Sequence, residues 1–182
     1  MRIFLTGVSC VGKSTIGERL AGLLGIAFFD LDTEVERYYG TSIERLQRRY
    51  LTMRSYREAA SEVLALILSK PESKDCVIAL PPSGLMEPYL NVVKKAGGIK
   101  VALLDSPDNI LARASFYDID SRLIAKALTK RELALHLREI KKDISYFGKS
   151  FRHANFQVDI SGMDVQAAAL TLKGQLAIWT HE

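Results

Sequence analysis

The sequence predicts an α/β protein in which a parallel β-sheet is covered on both faces by helices. Short runs that are apolar at every position, such as Ile3-Phe4-Leu5 and Cys76-Val77-Ile78-Ala79-Leu80, alternate with longer segments whose apolar residues recur at helical spacing. A strand apolar on both faces must be covered on both, and the helices that connect parallel strands provide the cover. Between the first such run and the first helical pattern lies Gly7-Val8-Ser9-Cys10-Val11-Gly12-Lys13-Ser14-Thr15. This is a G-x-x-x-x-G-K-[ST] phosphate-binding loop in the strand–loop–helix setting that the motif requires.

The loop's chemistry follows from its residue types. Two glycines let the backbone curl so that successive N–H groups point into one concavity and bind an anion. The following helix adds its positive N-terminal end. Lys13 reaches the terminal phosphates as a point charge, and the Ser14 hydroxyl can hold Mg²⁺. Gly7, Cys10, Val11, Gly12, Lys13, Ser14 and Thr15 are therefore candidate nucleotide contacts. Lys13 is also a candidate catalytic cation, and Ser14 a candidate metal ligand.

Taken in order, residues 2–6 form the first strand and 12–24 the helix after the loop. Ile16, Leu20, Leu23 and Leu24 lie at helical spacing and Gly25 suits a C-terminal cap. A second strand over 26–29 runs into Asp30-Leu31-Asp32; helical segments over 33–39 and 42–50 break at Gly40, and 55–69 is a longer helix. After a turn at 71–75, the third strand spans 76–80 and stops at Pro81-Pro82-Ser83-Gly84. A helix over 86–96 ends at Gly97-Gly98, and 99–104 is the fourth strand. Helical pattern over 107–117 leads into Asp118-Ile119-Asp120-Ser121, resumes to about 128 and continues over 131–146. A polar, basic connection over 148–155 precedes a fifth strand at 156–160 and a last helix at 164–178. Ligands of such sheets bind at the carboxyl ends of the strands, so the turns after the first four strands should line one cleft.

With 182 residues, 48% hydrophobic and 25% charged, the chain has the size and composition of one soluble globular domain. The net charge of +4 is spread through interleaved acids and bases. That balance suits an anionic small molecule as well as nucleic acid. With no aromatic stacking platform, basic helix or known module, a nucleic-acid partner is not expected. Cys10 and Cys76 have no metal-ligand spacing and read as free thiols of a reducing compartment. With no signal-peptide pattern and no apolar run of membrane-spanning length, a cytoplasmic protein without a membrane partner is expected.

Asp30 and Asp32 stand at the end of strand two, beside the loop. On an extended segment residues i and i+2 point the same way. Asp30 should then face a Mg²⁺ ion beside Ser14, through water, since this ion keeps much of its hydration shell. Asp32 should project further out, where it can orient an acceptor hydroxyl or take its proton. Asp32 before Thr33-Glu34-Val35-Glu36 also reads as a helix N-cap, and the two roles are compatible.

The run Phe28-Phe29-Asp30-Leu31-Asp32-Thr33-Glu34-Val35-Glu36, continued by Gly40-Thr41-Ser42-Ile43, resembles shikimate kinases. They share the phosphate loop, the Asp-x-Asp, the Ile/Val-Glu and the Gly-x-Ser-Ile at this spacing. The likeness is close over residues 2–43, and the five-strand layout and length agree over most of the chain. It implies a three-layer α/β/α P-loop kinase domain over 1–182, with strand order 2-3-1-4-5 and a lid at about 114–130. It further implies ATP and Mg²⁺, and phosphorylation of a ring hydroxyl on a small carboxylic acid. A monomer acting on a small anionic acceptor is the expectation.

The resemblance places Asp30 on the metal-side aspartate and Asp32 on the residue that holds substrate hydroxyls. Tyr56-Arg57 resembles the family's Phe-Arg-x-x-Glu, whose arginine grips the substrate carboxylate, but its spacing from Ile43 is one residue longer and Ala60 stands at the glutamate position. The family's Gly-Gly-Gly after strand three is Pro81-Pro82-Ser83 here, and prolines donate no N–H. Gly84 is the residue left to supply part of that substrate loop. Arg113 fits the arginine that packs on adenine. Ser121-Arg122-Leu123 resembles the lid's Arg-Pro-Leu without the proline, which makes Arg122 a candidate to stabilise charge on the transferring phosphoryl group. Ala154-Asn155-Phe156-Gln157-Val158-Asp159 matches the family's Ala-Asp-x-x-Val-Asp. The second carboxylate-gripping arginine before it falls on Tyr146, with Arg138, Lys142, Lys149 and Arg152 as possible substitutes. Three readings stay open: a shikimate kinase with a rearranged acceptor loop, a kinase for another small hydroxylated metabolite such as a sugar acid or nucleoside, or a nucleotide-binding relative without turnover.

Overall fold

The computed structural model describes residues 1–120, 122–124 and 128–179. In chain order the elements are β1 (Arg2–Thr6), α1 (Lys13–Leu24), β2 (Ala27–Asp30), α2 (Leu31–Tyr39), α3 (Ile43–Gln47) and α4 (Met53–Ser69). Then come β3 (Cys76–Ala79), α5 (Tyr89–Ala96), β4 (Ile99–Leu104), α6 (Pro107–Ala112), β5 (Phe116–Tyr117) and β6 (Leu123–Ile124). The chain closes with α7 (Lys130–Gly148), β7 (Phe156–Asp159) and α8 (Val165–Trp179).

The main sheet has five strands in the order β2-β3-β1-β4-β7, all parallel. This is the expected 2-3-1-4-5 order, with β7 as its fifth strand. The period of two along each strand sorts side chains between two cores. Ile3 and Leu5 of β1 turn to one face and pack with Leu20 of α1 and Leu172 of α8. Phe4 turns to the other face and packs with Leu31 of α2, Leu64 of α4 and Val93 of α5. Every residue of β3 is buried. β1, at the centre, has a neighbour reached by a crossover on each side, so its carboxyl end opens into the crevice where such sheets bind ligands. The phosphate loop leaves from that end.

The helix expected over 107–117 is shorter than its apolar pattern suggests. α6 starts at Pro107 under a Ser106 cap, whose side chain accepts the Asn109 N–H, and it ends at Ala112. Phe116–Tyr117 instead pairs antiparallel with Leu123–Ile124 as a small hairpin. Asp118 makes the turn: its Oδ1 accepts the Asp120 N–H at 2.8 Å and the Arg122 N–H at 2.9 Å. Such local bonds offer the backbone an alternative to helix. The hairpin lies against α3, where Ser42 Oγ donates to the Ile119 carbonyl and Arg45 Nε to Asp120. Of the expected lid at 114–130, Ser121 and residues 125–127 lie outside the described residues. Among the described residues no helix is long and apolar enough to cross a membrane.

Candidate active site

The phosphate loop takes backbone conformations open mainly to glycine at Gly7 (φ 149°) and Gly12 (φ 107°), and Cys10 is left-handed at φ 60°. At Gly7 a Cβ would lie 2.7 Å from the Leu103 carbonyl oxygen and 2.8 Å from Val11 Cγ1. The first of these is backbone at the end of β4 and cannot rotate away. Gly7→Ala is therefore expected to cost about 1–3 kcal/mol and to weaken nucleotide binding tenfold or more. Denaturant melts and nucleotide titration read both, and a variant that binds as the parent does would remove the strain argument. Gly12 is the N-cap of α1 and supplies no side-chain cap, so the first N–H groups of the helix are left for an anion.

Lys13 Nζ donates to the carbonyls of Gly7 and Val8, each at 2.9 Å. Burial drives its pKa down to about 8, while Asp32, Asp30 and Cys10 pull the other way. Ser14 Oγ donates to Asp30 Oδ2, and Asp30 Oδ1 accepts the Thr33 N–H at 3.2 Å. The cap of α2 is thus Asp30, not Asp32. Nor do the two aspartates share an extended segment, since Asp30 ends β2 and Asp32 sits in the first helical turn. Both still face Lys13 as charged neighbours. The Asp32 carboxyl is pushed up to about 6, by burial first and then by Asp30, with Lys13 opposing and Glu36 adding. Glu36 in turn accepts the Ile43 N–H at 2.9 Å, tying α2 to the start of α3.

Arg57 reaches from α4 towards the loop after β3. Its Nε donates to Met53 O at 3.1 Å, and its Nη1 lies 3.8 Å from Met86 Sδ. Asp32 and Arg57 meet at a shared neighbour, the buried Tyr89, whose ring belongs to the same core as Tyr56. Gln47 is a polar neighbour of the Tyr56 hydroxyl. Tyr56, Tyr89 and Gln47 were not picked out by the sequence as site residues. Only the position of Tyr56 next to Arg57 carried a signal. Gly84 belongs to the tight turn after β3: its N–H is taken by Pro81 O at 2.8 Å, and a Cβ would lie 2.4 Å from Leu80 Cβ.

Arg113 donates to the fully buried Asp105 carboxylate at the end of β4. Asp105 also accepts from Ser106 N at 2.7 Å, Asn109 Nδ2 at 2.8 Å and Ser161 Oγ at 3.0 Å. Burial would raise its pKa, but these bonds together with Arg113 hold it below the usual value. Arg122 sits on the hairpin with its charge beside Asp120, and among the described residues it makes no contact with Lys13. Tyr146 is exposed and stacks edge-on against Phe147. Arg138, Lys142, Lys149 and Arg152 are all exposed. A cavity of about 160 Å³ beside Ser9 and Cys10 is closed by α6 and α7; the titratable side chains that α7 turns to it are His136, Glu139 and Asp143, none of the four basic candidates.

The shikimate kinase family model matches residues 9–156 of this chain. Shikimate kinase from Chlorobium chlorochromatii is 33% identical over 145 residues, covering 76% of this chain and 72% of the relative. Shikimate kinase from Moorella thermoacetica is 29% identical over 178 residues, covering 97% and 95%. Among solved structures, shikimate kinase from Aquifex aeolicus VF5 superposes with a TM-score of 0.67 at 26% identity, over 97% of this chain and 96% of that one.

Proposed function

The chain belongs to the shikimate kinase family, and we propose that it transfers the γ-phosphoryl group of ATP to a ring hydroxyl of shikimate. The observation that carries this reading is the grouping of Asp32, its carboxyl pushed up to about 6, with Lys13 of the phosphate loop and with Tyr89, a neighbour it has in common with Arg57. A base of that pKa is ionised at neutral pH and close enough to it to take a proton efficiently.

In this reading the chain is a single kinase domain over 1–182, a cytoplasmic monomer with a lid at 114–130. The N–H groups at Gly7, Cys10, Val11, Gly12, Ser14 and Thr15 bind the phosphates together with Lys13, and Arg113, steadied by Asp105, packs on the adenine. Ser14 and Asp30 form a pair of hard oxygen donors that suits Mg²⁺. When bound, that ion neutralises phosphate charge. Asp32 orients the acceptor hydroxyl and accepts its proton as its oxygen bonds to the γ-phosphorus; the bond to the β–γ bridging oxygen breaks and ADP leaves. Arg57 grips the acceptor's carboxylate, which its planar fork matches with two parallel bonds. The Gly84 turn shapes the floor of the acceptor site, and Arg122 meets the transferring group when the lid shuts out water.

A second reading, a different small hydroxylated acid as acceptor, is favoured by one observation: Tyr146 is exposed where the family resemblance expects a second carboxylate-gripping arginine. A coupled ADP-release assay over shikimate, sugar acids and nucleosides separates the two. Saturable release with shikimate is the expected result. Release with another acceptor alone would select the second reading, and ATP binding that no acceptor stimulates would leave a nucleotide-binding protein without turnover.

A further inference from the structure

Tyr89 is the first residue of α5, and only 1% of its surface is exposed. Its ring is fixed in the core that also holds Leu31, Tyr56 and Leu85. Among the described residues its hydroxyl makes no hydrogen bond. Thr6 Oγ1 is the sole fully enclosed side-chain oxygen or nitrogen without a partner among the described residues. The Tyr89 hydroxyl, also unpartnered, therefore keeps a small opening to solvent. Its polar neighbours are Tyr56, Asp32 and Arg57.

Buried phenols nearly always find a hydrogen-bond partner, and an exception calls for an explanation. The Tyr89 ring packs in one core with Leu31 and Tyr56, the chain neighbours of Asp32 and Arg57, and both of those charged groups act on its hydroxyl. A neutral phenol both donates one hydrogen bond and accepts others, so it can serve a ring hydroxyl in either sense. We propose that Tyr89 is a specificity-determining contact: its hydroxyl bonds a ring oxygen of an acceptor held between Asp32 and Arg57, and so favours a polyhydroxylated ring acid over its deoxy counterpart. This rests on the shikimate kinase reading above.

Tyr89→Phe keeps the ring and the packing and removes only the oxygen. Losing that bond strands a substrate hydroxyl, which is expected to raise the shikimate KM roughly tenfold or more. The ATP KM and the thermal midpoint should stay at the parent values. Shikimate analogues each lacking one ring hydroxyl give the second readout. The analogue missing the oxygen that Tyr89 holds should be used equally well by parent and variant, while the others keep their difference. A shikimate KM within twofold of the parent overturns the assignment. So does a rise in both KM values with a lowered midpoint, which marks Tyr89 as a core residue only. A parent enzyme that shows no shikimate-dependent ADP release overturns the shikimate reading, and this inference with it. An active parent beside an unaffected variant removes the inference alone.

Discussion

Lys13→Met is expected to lower ADP formation about 10³-fold or more while the protein stays folded. The side chain is the one cation of the phosphate loop, and its ammonium is held by the Gly7 and Val8 carbonyls. Its charge is kept there against burial, which brings the pKa from 10.5 to about 8. A lysine with a depressed pKa costs the folded state stability while it is charged; that cost is present at pH 7 and fades as pH rises from about 8 towards 10.5. At about 1.4 kcal/mol per unit the relief on removing the charge offsets the loss of two hydrogen bonds worth about 1 kcal/mol each. The variant's thermal midpoint at pH 7 should therefore equal or exceed the parent's. The same equilibrium makes ATP affinity of the free enzyme fall above about pH 8, as Lys13 sheds its proton. Bound phosphate favours the charged form, so the alkaline limb belongs to kcat/KM for ATP and not to kcat. Near-parental turnover in the variant would take the phosphate-binding role away from Lys13.

The fold and the backbone geometry of the phosphate loop were largely legible in the sequence, for physical reasons. Strands apolar on both faces leave little choice of architecture, and the loop motif states its own backbone geometry. Their order across the sheet was not in the pattern itself and came with the family resemblance. Boundaries one or two residues wide were less legible. Whether Asp30 or Asp32 caps α2 depends on which carboxylate the Thr33 N–H finds, and helical periodicity does not distinguish them. The helical pattern through Arg113-Ala114-Ser115 runs on in sequence, but the Asp118 turn and the pairing of Phe116–Tyr117 with Leu123–Ile124 take over. Partners brought together by the fold were the least legible. Nothing about the sequence joins Tyr89 to Asp32 and Arg57, or Ser161 to Asp105 and through it to Arg113. The acceptor side proposed above rests on such meetings of α2, α4 and α5, and so the sequence pattern showed only part of it.

Asp32→Asn is expected to lower kcat by about 10²–10⁴-fold while ATP affinity stays within a few-fold of the parent. Asn keeps the shape and removes the proposed proton acceptor. In the parent, kcat/KM for shikimate should fall below about pH 6 as Asp32 takes up a proton, and the variant's residual rate should lack that limb. The stability change has the opposite sign. Asp32 titrates at 3.8 when unfolded and at about 6 when folded, so its ionised form opposes folding. The stability it contributes when protonated is lost as pH climbs from about 4 through 6. Above pH 6 the variant should be more stable than the parent to denaturant, by up to about 3 kcal/mol at 1.4 kcal/mol per unit, and the two should converge near pH 4. Lys13 supplies a cross-check. Asp32 is the foremost charge holding the Lys13 proton in place. Its loss should move the alkaline limb of ATP binding below the parent's pH of about 8. A limb that stays put would mean that the two charges do not share one site, and Asp32 could then not serve the phosphoryl group proposed to bind at Lys13.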